Sequence, residues 1–233
     1  MRSRYAMTLL CVFAVVSTVA VAETNWPQFR GPESRGIGEG ANLPDTWSTT
    51  ENIAWKTDIP GRGWSSPVVW GERIFLTTVV SQGEIEAAKK GLYFGGDRKA
   101  APDMVHVWKV YCLDLDSGKV VWEKQAHEGK PSAPRHIKNS YASETPVTDG
   151  KQLYVYFGNV GVWCFDFDGN VVWNTSVPEQ KTGNNWGTST SPVVHKDKLY
   201  IVNDNDEDSY LLALDTKTGK EAFRVARDEK TNW

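Results

Sequence analysis

The sequence predicts an all-β chain of four-stranded units that stack radially as the blades of an incomplete β-propeller. Three observations predict this fold: a repeat with a period near fifty residues, apolar runs of strand length separated by Gly, Asp and Asn turns, and no convincing helical period within the repeats. A four-stranded sheet of this size cannot bury both of its faces alone. Neighbouring units must therefore stack, and radial stacking is the usual arrangement for units of this length.

The repeat is marked by an aromatic residue that closes each unit and by an aspartate seven or eight residues earlier. The closing aromatics lie 51 and 50 residues apart. The three pairs are Asp114 and Trp122, Asp166 and Trp173, and Asp215 and Phe223. These marks predict three units, at about 64–126, 142–177 and 187–227. The first unit contains an insertion at 81–107.

Each unit is predicted to contain a strand that follows a proline, a tight turn, an alternating strand, a strand ending at the aspartate and a strand ending at the aromatic. In the last turn, Gly118 and Gly219 stand where a tight hairpin needs a positive φ. The aspartates that precede them supply local hydrogen bonds to the turn.

The segment 52–59, around Trp55, matches only the fourth strand of a unit and precedes the first complete one. We interpret it as a closure strand that completes the last blade of a ring. The chain ends at Trp233 in what looks like the start of a fourth unit. Three blades do not close a ring, since propellers use about four to eight. The sequence is therefore interpreted as truncated, or as needing other copies to cover its open edges.

The first residues resemble a secretory signal peptide. Arg2 and Arg4 precede a short apolar stretch that ends in Ala20-Val21-Ala22. We predict a signal peptide at 1–22, a propeller domain at 23–233, export to the periplasm or the extracellular space, and no membrane span after cleavage. The alternative is an uncleaved anchor, but the apolar stretch is short for a span.

Charge and cysteine usage limit the function classes. The formal net charge is −3, so the chain lacks the basic surface that nucleic-acid binding needs. Cys112 and Cys164 occupy the same position in successive units, where the third unit has Ala213. We therefore expect buried, small apolar residues rather than a disulfide.

The motif Cys112-x-Asp-x-x-Ser-Gly-Lys-x-x-Trp122, repeated at 213–223 with Phe223 last, resembles the tryptophan-docking repeat of pyrroloquinoline-quinone propellers. The stretches 25–32 and 136–146 are also similar to exported bacterial quinoprotein-like repeat proteins. The resemblance covers nearly all of the chain after 22. It implies that the closing aromatics are structural and pack between adjacent blades.

The same resemblance implies two classes of function, because the group contains quinone-dependent dehydrogenases and also a scaffold lipoprotein of outer-membrane β-barrel assembly. Our first hypothesis is a binding or scaffold module that takes a protein partner or a small ligand at a propeller face, without an identifiable catalytic residue. The alternative is an alcohol or sugar dehydrogenase that uses pyrroloquinoline quinone with calcium, with most of its site residues beyond Trp233.

The starts of the innermost strands are the candidate binding positions, because they can face the central channel. Each start combines an aromatic residue with a polar neighbour, which suits a planar ligand that is stacked and hydrogen-bonded. The alternative is that these aromatics fill the channel mouth. The candidates are Arg62, Trp64, Asn139, Tyr141, Asn185 and Trp186.

No metal site is predicted. The acidic run 203–208 lacks the Gly and the distal Glu of a calcium loop, so we interpret it as a solvated hairpin tip. His106, His127, His136 and His195 are scattered and are expected at the surface or in turns. The insertion 81–107 is either a binding loop or a plain surface excursion.

Overall fold

The computed structural model describes residues 25–38, 43–88, 90–91, 101–178 and 180–232. The predicted signal peptide at 1–22 lies outside these residues, as does Trp233. Within the described residues the chain forms strands and two short 3-10 helices, Pro32–Ser34 and Gly183–Asn185, but no α-helix. None of the helices in this part of the chain has the length and apolarity needed to cross a membrane. The all-β prediction is confirmed.

Twelve strands in the described part of the chain form three antiparallel sheets, and the four strands of each sheet are neighbours in chain order. The first blade contains β1 (Val68–Trp70), β2 (Arg73–Ser81), β3 (His106–Asp114) and β4 (Val120–Gly129). The second contains β5 (Val147–Thr148), β6 (Gln152–Phe157), β7 (Gly161–Asp166) and β8 (Val171–Ser176). The third contains β9 (Val193–His195), β10 (Lys198–Asn203), β11 (Tyr210–Asp215) and β12 (Glu221–Ala226). The three blades do not close into a ring.

The first blade has longer strands than the spacing of the repeat predicts. The β2–β3 ladder continues to the pair Ser81 and His106, so both ends of the predicted insertion belong to the sheet. β4 also extends to Gly129, three residues past the predicted end of the unit. The reason is pairing: each extra residue of β3 finds a partner on both sides.

The turn between the third and fourth strands has the chemistry that the sequence predicts. In the first blade, Asp114 Oδ1 accepts hydrogen bonds from Ser117 N at 2.8 Å and Ser117 Oγ at 2.6 Å, and Gly118 has a φ of 66°. The equivalent glycines of the other blades, Gly169 and Gly219, have φ values of 81° and 67°. These hydrogen bonds lower the pKa of the Asp114 carboxyl, so they favour its charged form.

The closing tryptophans join each blade to the next one. Trp122 Nε1 donates to the carbonyl oxygen of Phe167 at 2.8 Å, and Trp173 Nε1 donates to that of Thr216 at 2.8 Å. Each indole thus leaves its own blade and reaches the last turn of the following blade. The predicted structural role of these tryptophans is confirmed.

The glycine of each last turn is required by this docking as well as by its φ. A Cβ added to Gly219 would lie 2.4 Å from Trp173 Cε3, and a Cβ added to Gly169 would lie 2.9 Å from Trp122 Cδ2. Real Cβ atoms do not approach other atoms so closely. The turn from the aspartate to the glycine therefore provides both a hairpin and a flat surface for an indole.

The segment 52–59 docks in the same way, although it forms no strand. Trp55 Nε1 donates to the Leu115 carbonyl at 2.9 Å, and Thr57 Oγ1 donates to the Gly118 carbonyl at 2.6 Å. Thr175, two residues after Trp173, makes the matching bond to Gly219 at 2.6 Å. Segment 52–59 therefore makes the same two contacts with a last turn as the fourth strand of the second blade does. It has no ladder because no third strand lies beside it within the described residues.

Phe223 is the exception to the docking series. It pairs with Ala213 as Trp173 pairs with Cys164, and in both blades the register shifts at the next residue. Yet Phe223 is 42% exposed whereas Trp173 is 8% exposed, and every residue of β12 is exposed. The outer face of the third blade is thus built for docking but contacts no further blade among the described residues.

Two apolar clusters lie between the blades. Phe75, Trp108 and Phe157 belong to the cluster between the first and second blades, and Tyr154 and Leu199 to that between the second and third.

Both described cysteines are free and fully buried, one in each of these clusters. Burial raises the pKa of the Cys112 thiol, and burial together with the nearby Asp149 and Asp166 carboxylates raises that of Cys164 to about 12. The thiols are therefore protonated and inert, as expected for buried residues without a disulfide.

We expect Trp173→Ala to lower the free energy of unfolding by roughly 3–5 kcal/mol, because it removes a buried indole and leaves a cavity between two blades. Phe223→Ala is the matched control, and its effect should be only about 0.5 kcal/mol because that ring is exposed. Urea unfolding followed by circular dichroism measures both values. Equal losses would contradict the docking interpretation.

A second pair of variants tests the glycine requirement. Gly219→Ala and Gly71→Ala both place a side chain at a positive φ, which costs roughly 1–2 kcal/mol. Only Gly219 would also push a methyl group into an indole, since a Cβ on Gly71 meets nothing within 4 Å. We expect Gly219→Ala to be destabilised by roughly 1–3 kcal/mol more than Gly71→Ala in the same urea assay. An equal effect would mean that the turn matters only through its backbone conformation.

Candidate functional site

The starts of the inner strands are joined by hydroxyl groups. The residue before each inner-strand proline is Ser66, Thr145 or Ser191. Ser66 N donates to Thr145 Oγ1 at 3.0 Å, and Thr145 N donates to Ser191 Oγ at 2.9 Å. We call these three residues the hydroxyl chain. Because each oxygen accepts from a backbone N–H, the hydroxyl hydrogens of Thr145 and Ser191 can donate elsewhere.

A cavity of about 530 Å³ lies beside the hydroxyl chain. Thr145 and Ser191 line it, together with further hydroxyl residues such as Ser189 and Thr190. Trp64 also lines it and is 60% exposed. We call this space the inner cavity.

One wall of the inner cavity comes from the segment before the first blade, through Gln28, Phe29 and Ser34. This segment is held against the inner strands. Trp26 exchanges backbone hydrogen bonds with Val69, at 2.8 and 2.9 Å. The Pro27 carbonyl accepts from Thr148 N of the second blade at 2.9 Å. The segment therefore contributes a defined wall.

Two of the sequence-predicted residues, Trp64 and Asn139, line the inner cavity together. The backbone of Trp64 is fixed because its N–H donates to the Ala142 carbonyl of the next blade at 2.9 Å. The amide of Asn139 is fully used: Nδ2 donates to the Trp186 carbonyl at 2.8 Å, and Oδ1 accepts from Ser143 Oγ at 2.6 Å. Asn139 thus shapes the wall, while Trp64 offers an open ring.

The other four predicted residues do not line this cavity. The backbone of Arg62 forms an antiparallel bridge with Val79, and its guanidinium donates to the Glu86 carbonyl at 3.3 Å. Tyr141 is buried, and its hydroxyl donates to the Ala133 carbonyl at 2.7 Å.

Asn185 and Trp186 are both half-buried and lie at the end of the second 3-10 helix. Asn185 ends a 3-10 helix with a φ of 56°. The Trp186 ring packs edge-on against His136, with 5.4 Å between centroids. A ligand role for Arg62, Tyr141, Asn185 and Trp186 stays a prediction.

Glu144 was not among the site residues predicted from the sequence. Its carboxyl is buried, and it directly precedes Thr145 of the hydroxyl chain. It is 2% exposed. Its Oε1 accepts from Thr188 Oγ1 at 2.6 Å and Gly158 N at 3.3 Å, and its Oε2 accepts from Ser143 N at 3.2 Å. Burial raises the pKa of this carboxyl despite these hydrogen bonds. The sequence did contain a signal for Glu144: it stands two residues before the inner-strand proline, where the other units have the hydroxyl residues Ser65 and Thr190.

A smaller cavity of about 240 Å³ lies between the β2–β3 connection and residues 134–137. Glu84, Glu86, His106 and Arg135 line it. The expectation that His106 lies at the surface is wrong: it is 2% exposed, because it begins β3 and its ring contacts Tyr141. Burial lowers the pKa of its imidazole, and Nδ1 lies 2.9 Å from the Met104 carbonyl oxygen.

The interpretation of 203–208 as a solvated tip is also wrong for its first half. Asp204 and Asn205 are buried. Arg227 holds Asp204 through two bonds, Nε to Oδ1 at 2.7 Å and Nη2 to Oδ2 at 3.1 Å. Asn205 Oδ1 accepts from the backbone N–H groups of Glu207 and Asp208. The run is therefore an internally bonded loop that ties β10 to the end of the chain.

No group of three or more His, Cys, Asp or Glu side chains that could hold a metal ion occurs among the described residues. In the acidic run 203–208, the buried carboxylate of Asp204 is paired with Arg227 rather than with other acidic groups.

Docked four-stranded blades, joined by closing tryptophans and leaving a cavity at their inner strands, define a β-propeller repeat protein. The sequence model of the family described as "Outer membrane protein assembly factor BamB" matches residues 106–232. The chain belongs to this family of pyrroloquinoline-quinone-like repeat proteins. A comparison with curated proteins finds no match.

Solved structures of propeller proteins are similar to the chain at low identity. The quinohemoprotein alcohol dehydrogenase from Comamonas testosteroni is 16% identical with a TM-score of 0.52, and the match covers 87% of this chain and 27% of that one. The alcohol dehydrogenase ADHIIG from Pseudomonas putida HK5 is 16% identical with a TM-score of 0.48, over 87% and 26% of the two chains. BamB from Moraxella catarrhalis is 13% identical with a TM-score of 0.38, over 76% and 55%. The chain thus spans about a quarter of the length of these dehydrogenases.

Pyrroloquinoline quinone, the cofactor of quinoprotein dehydrogenases, does not fit either cavity. The quinone carries three carboxylates, and such anions are bound by arginine, lysine or a cation. Among the described residues, none that lines the inner cavity has a charged side chain. The smaller cavity contains Arg135 but also Glu84 and Glu86, and its volume of about 240 Å³ is below the range of roughly 300–1,000 Å³ that is usual for ligand sites.

The raised pKa of Glu144 predicts a pH dependence of stability. The folded state binds the proton more tightly than the unfolded state, so stability falls as pH rises from the ordinary value near 4.5 to the folded pKa. Glu144→Gln keeps the shape and removes the titration. We expect the variant to gain stability relative to the wild type as pH rises through this window, by about 1.4 kcal/mol for each unit of pKa elevation. Urea unfolding between pH 4 and pH 8 measures the difference, and parallel curves would contradict the raised pKa.

Proposed function

We propose that this chain is a binding or scaffold module that takes a small ligand or a protein partner at the inner face of its propeller. The observation that carries the proposal is the inner cavity, where an exposed indole and several hydroxyl groups meet at the junction of the three blades. Apolar rings beside a few fixed polar groups are typical of ligand sites. Family membership supports a protein partner, since the family is described as an assembly factor.

The arrangement favours binding over catalysis. The hydroxyls of Thr145 and Ser191 accept from backbone N–H groups and contact no base among the described residues. The buried Glu144 carboxyl holds three hydrogen-bond donors, and it does not line the inner cavity. A hydroxyl nucleophile needs an adjacent base, and that pairing does not occur in the cavity lining.

Export is part of the proposal, on the basis of the sequence at 1–22 alone. Cleavage between Ala22 and Glu23 would deliver a propeller domain to the periplasm or the medium. Mass spectrometry of the protein from the cell envelope would measure the new N-terminus.

A quinone-dependent oxidoreductase is the competing function, because dehydrogenases share the fold and the chain spans about a quarter of their length. Further residues outside this chain would then have to supply the charges that bind the quinone and calcium.

A titration distinguishes the two functions. The purified full chain is titrated with pyrroloquinoline quinone and Ca²⁺ while tryptophan fluorescence is followed, and dye reduction with alcohols and sugars is then assayed. We expect no saturable quenching at micromolar quinone, because the inner cavity offers no cation to the carboxylates. Saturable quenching with dye reduction would overturn the proposal in favour of the oxidoreductase.

A further inference from the structure

The chemistry of the inner cavity narrows the class of ligand. Its lining consists of Ser, Thr, Asn, Gln, Pro, Val, Trp and Phe side chains. Because a charged ligand would be desolvated there without a counter-charge, the cavity favours a neutral molecule. The volume of about 530 Å³ lies inside the range that is usual for small-molecule sites.

Two aromatic rings at the inner cavity remain open. Trp64 is 60% exposed and Phe29 is 49% exposed, and they come from different segments of the chain. Exposed aromatic residues that meet at one cavity mark an interaction site more strongly than single ones do. A flat apolar surface with polar groups around it suits a ligand that has both C–H faces and hydroxyl edges.

The polar groups of the cavity are oriented before a ligand arrives. Thr145 Oγ1 and Ser191 Oγ each accept a backbone hydrogen bond, so their own hydrogens remain available to donate. Ser143 Oγ donates to Asn139 Oδ1 at 2.6 Å and accepts from Ser140 N at 3.4 Å, so the orientation of this hydroxyl is set by its neighbours. The cavity thus offers donors and acceptors at fixed positions, and such preorganisation lowers the cost of binding.

We infer that the inner cavity binds a neutral saccharide, with the sugar face on the Trp64 ring and its hydroxyl groups hydrogen-bonded to Thr145, Thr190 and Ser191. A saccharide combines the three properties that the cavity selects: no charge, many donors and acceptors, and an apolar face. The inference rests on the proposed binding function and names its ligand class.

Calorimetric titration of the purified full chain tests the inference. The probes are maltose, cellobiose and di-N-acetylchitobiose, with glucose 6-phosphate as the charged comparison. We expect at least one neutral disaccharide to bind, and glucose 6-phosphate to bind more weakly. If none of the neutral disaccharides binds at millimolar concentration, or if the phosphorylated sugar binds best, the inference is overturned.

Three variants locate the site. Trp64→Ala should weaken saccharide binding at least about tenfold, because it removes the stacking surface, and Thr190→Val should weaken it by about threefold through loss of one hydroxyl. Trp47→Ala is the matched control, since Trp47 is 63% exposed but does not line the cavity, and it should leave binding unchanged. Equal affinity in the Trp64 and Trp47 variants would overturn the inference. Thermal melting confirms that each variant is folded.

Failure of the inference is separable from failure of the proposed function. If neither saccharide nor quinone binds, the saccharide inference is wrong but the scaffold function stands. Cross-linking from the Trp64→Cys variant to envelope proteins then tests the scaffold function. Saturable quinone binding with dye reduction would remove the proposed function itself.

Discussion

The docking of an indole onto the last turn of the neighbouring blade holds the blades of this protein together. A single four-stranded blade leaves apolar residues exposed on both faces, and the ring of Trp122 or Trp173 closes one of them by crossing to the next blade. The Gly at the tip of that turn lets the ring approach, and the preceding Asp holds the turn in shape. The inner hydroxyl chain can form because this outer contact sets the distance between blades.

The inner cavity is a consequence of the same stacking. Each blade contributes the short segment before its proline, and docking brings these segments side by side, so Ser66, Thr145 and Ser191 bond in sequence. The segment around Phe29 forms a further wall of this cavity. The site is therefore made by the junction of repeats, and this explains why it has hydroxyl groups at equivalent positions. Fold and family do not by themselves assign the function of such a site.

Much of the architecture could be predicted, because the same local sequence pattern occurs in three successive units. The aspartate, the glycine and the closing aromatic of each unit define the last hairpin, and the docking role of the aromatic follows from the resemblance. The structure places the predicted site residues in different surroundings. Trp64 and Asn139 do meet at one cavity, whereas Tyr141 is buried among neighbouring rings. Periodicity tells which strand a residue precedes but not how far the connecting segment turns inward. The burial of His106 and Asp204 was missed because both depend on longer strands or distant partners.

The all-β class, the four-stranded units and the chemistry of their turns follow from the amino-acid pattern alone, because they depend on contacts between residues close in the chain. Three features depend on how the blades pack: Phe223 is exposed while Trp173 is covered, Glu144 is enclosed by the connections around it, and the segment containing Phe29 forms a wall of the inner cavity. These features join residues that lie tens of positions apart. Their geometry depends on the angle and distance between blades, which no local pattern encodes.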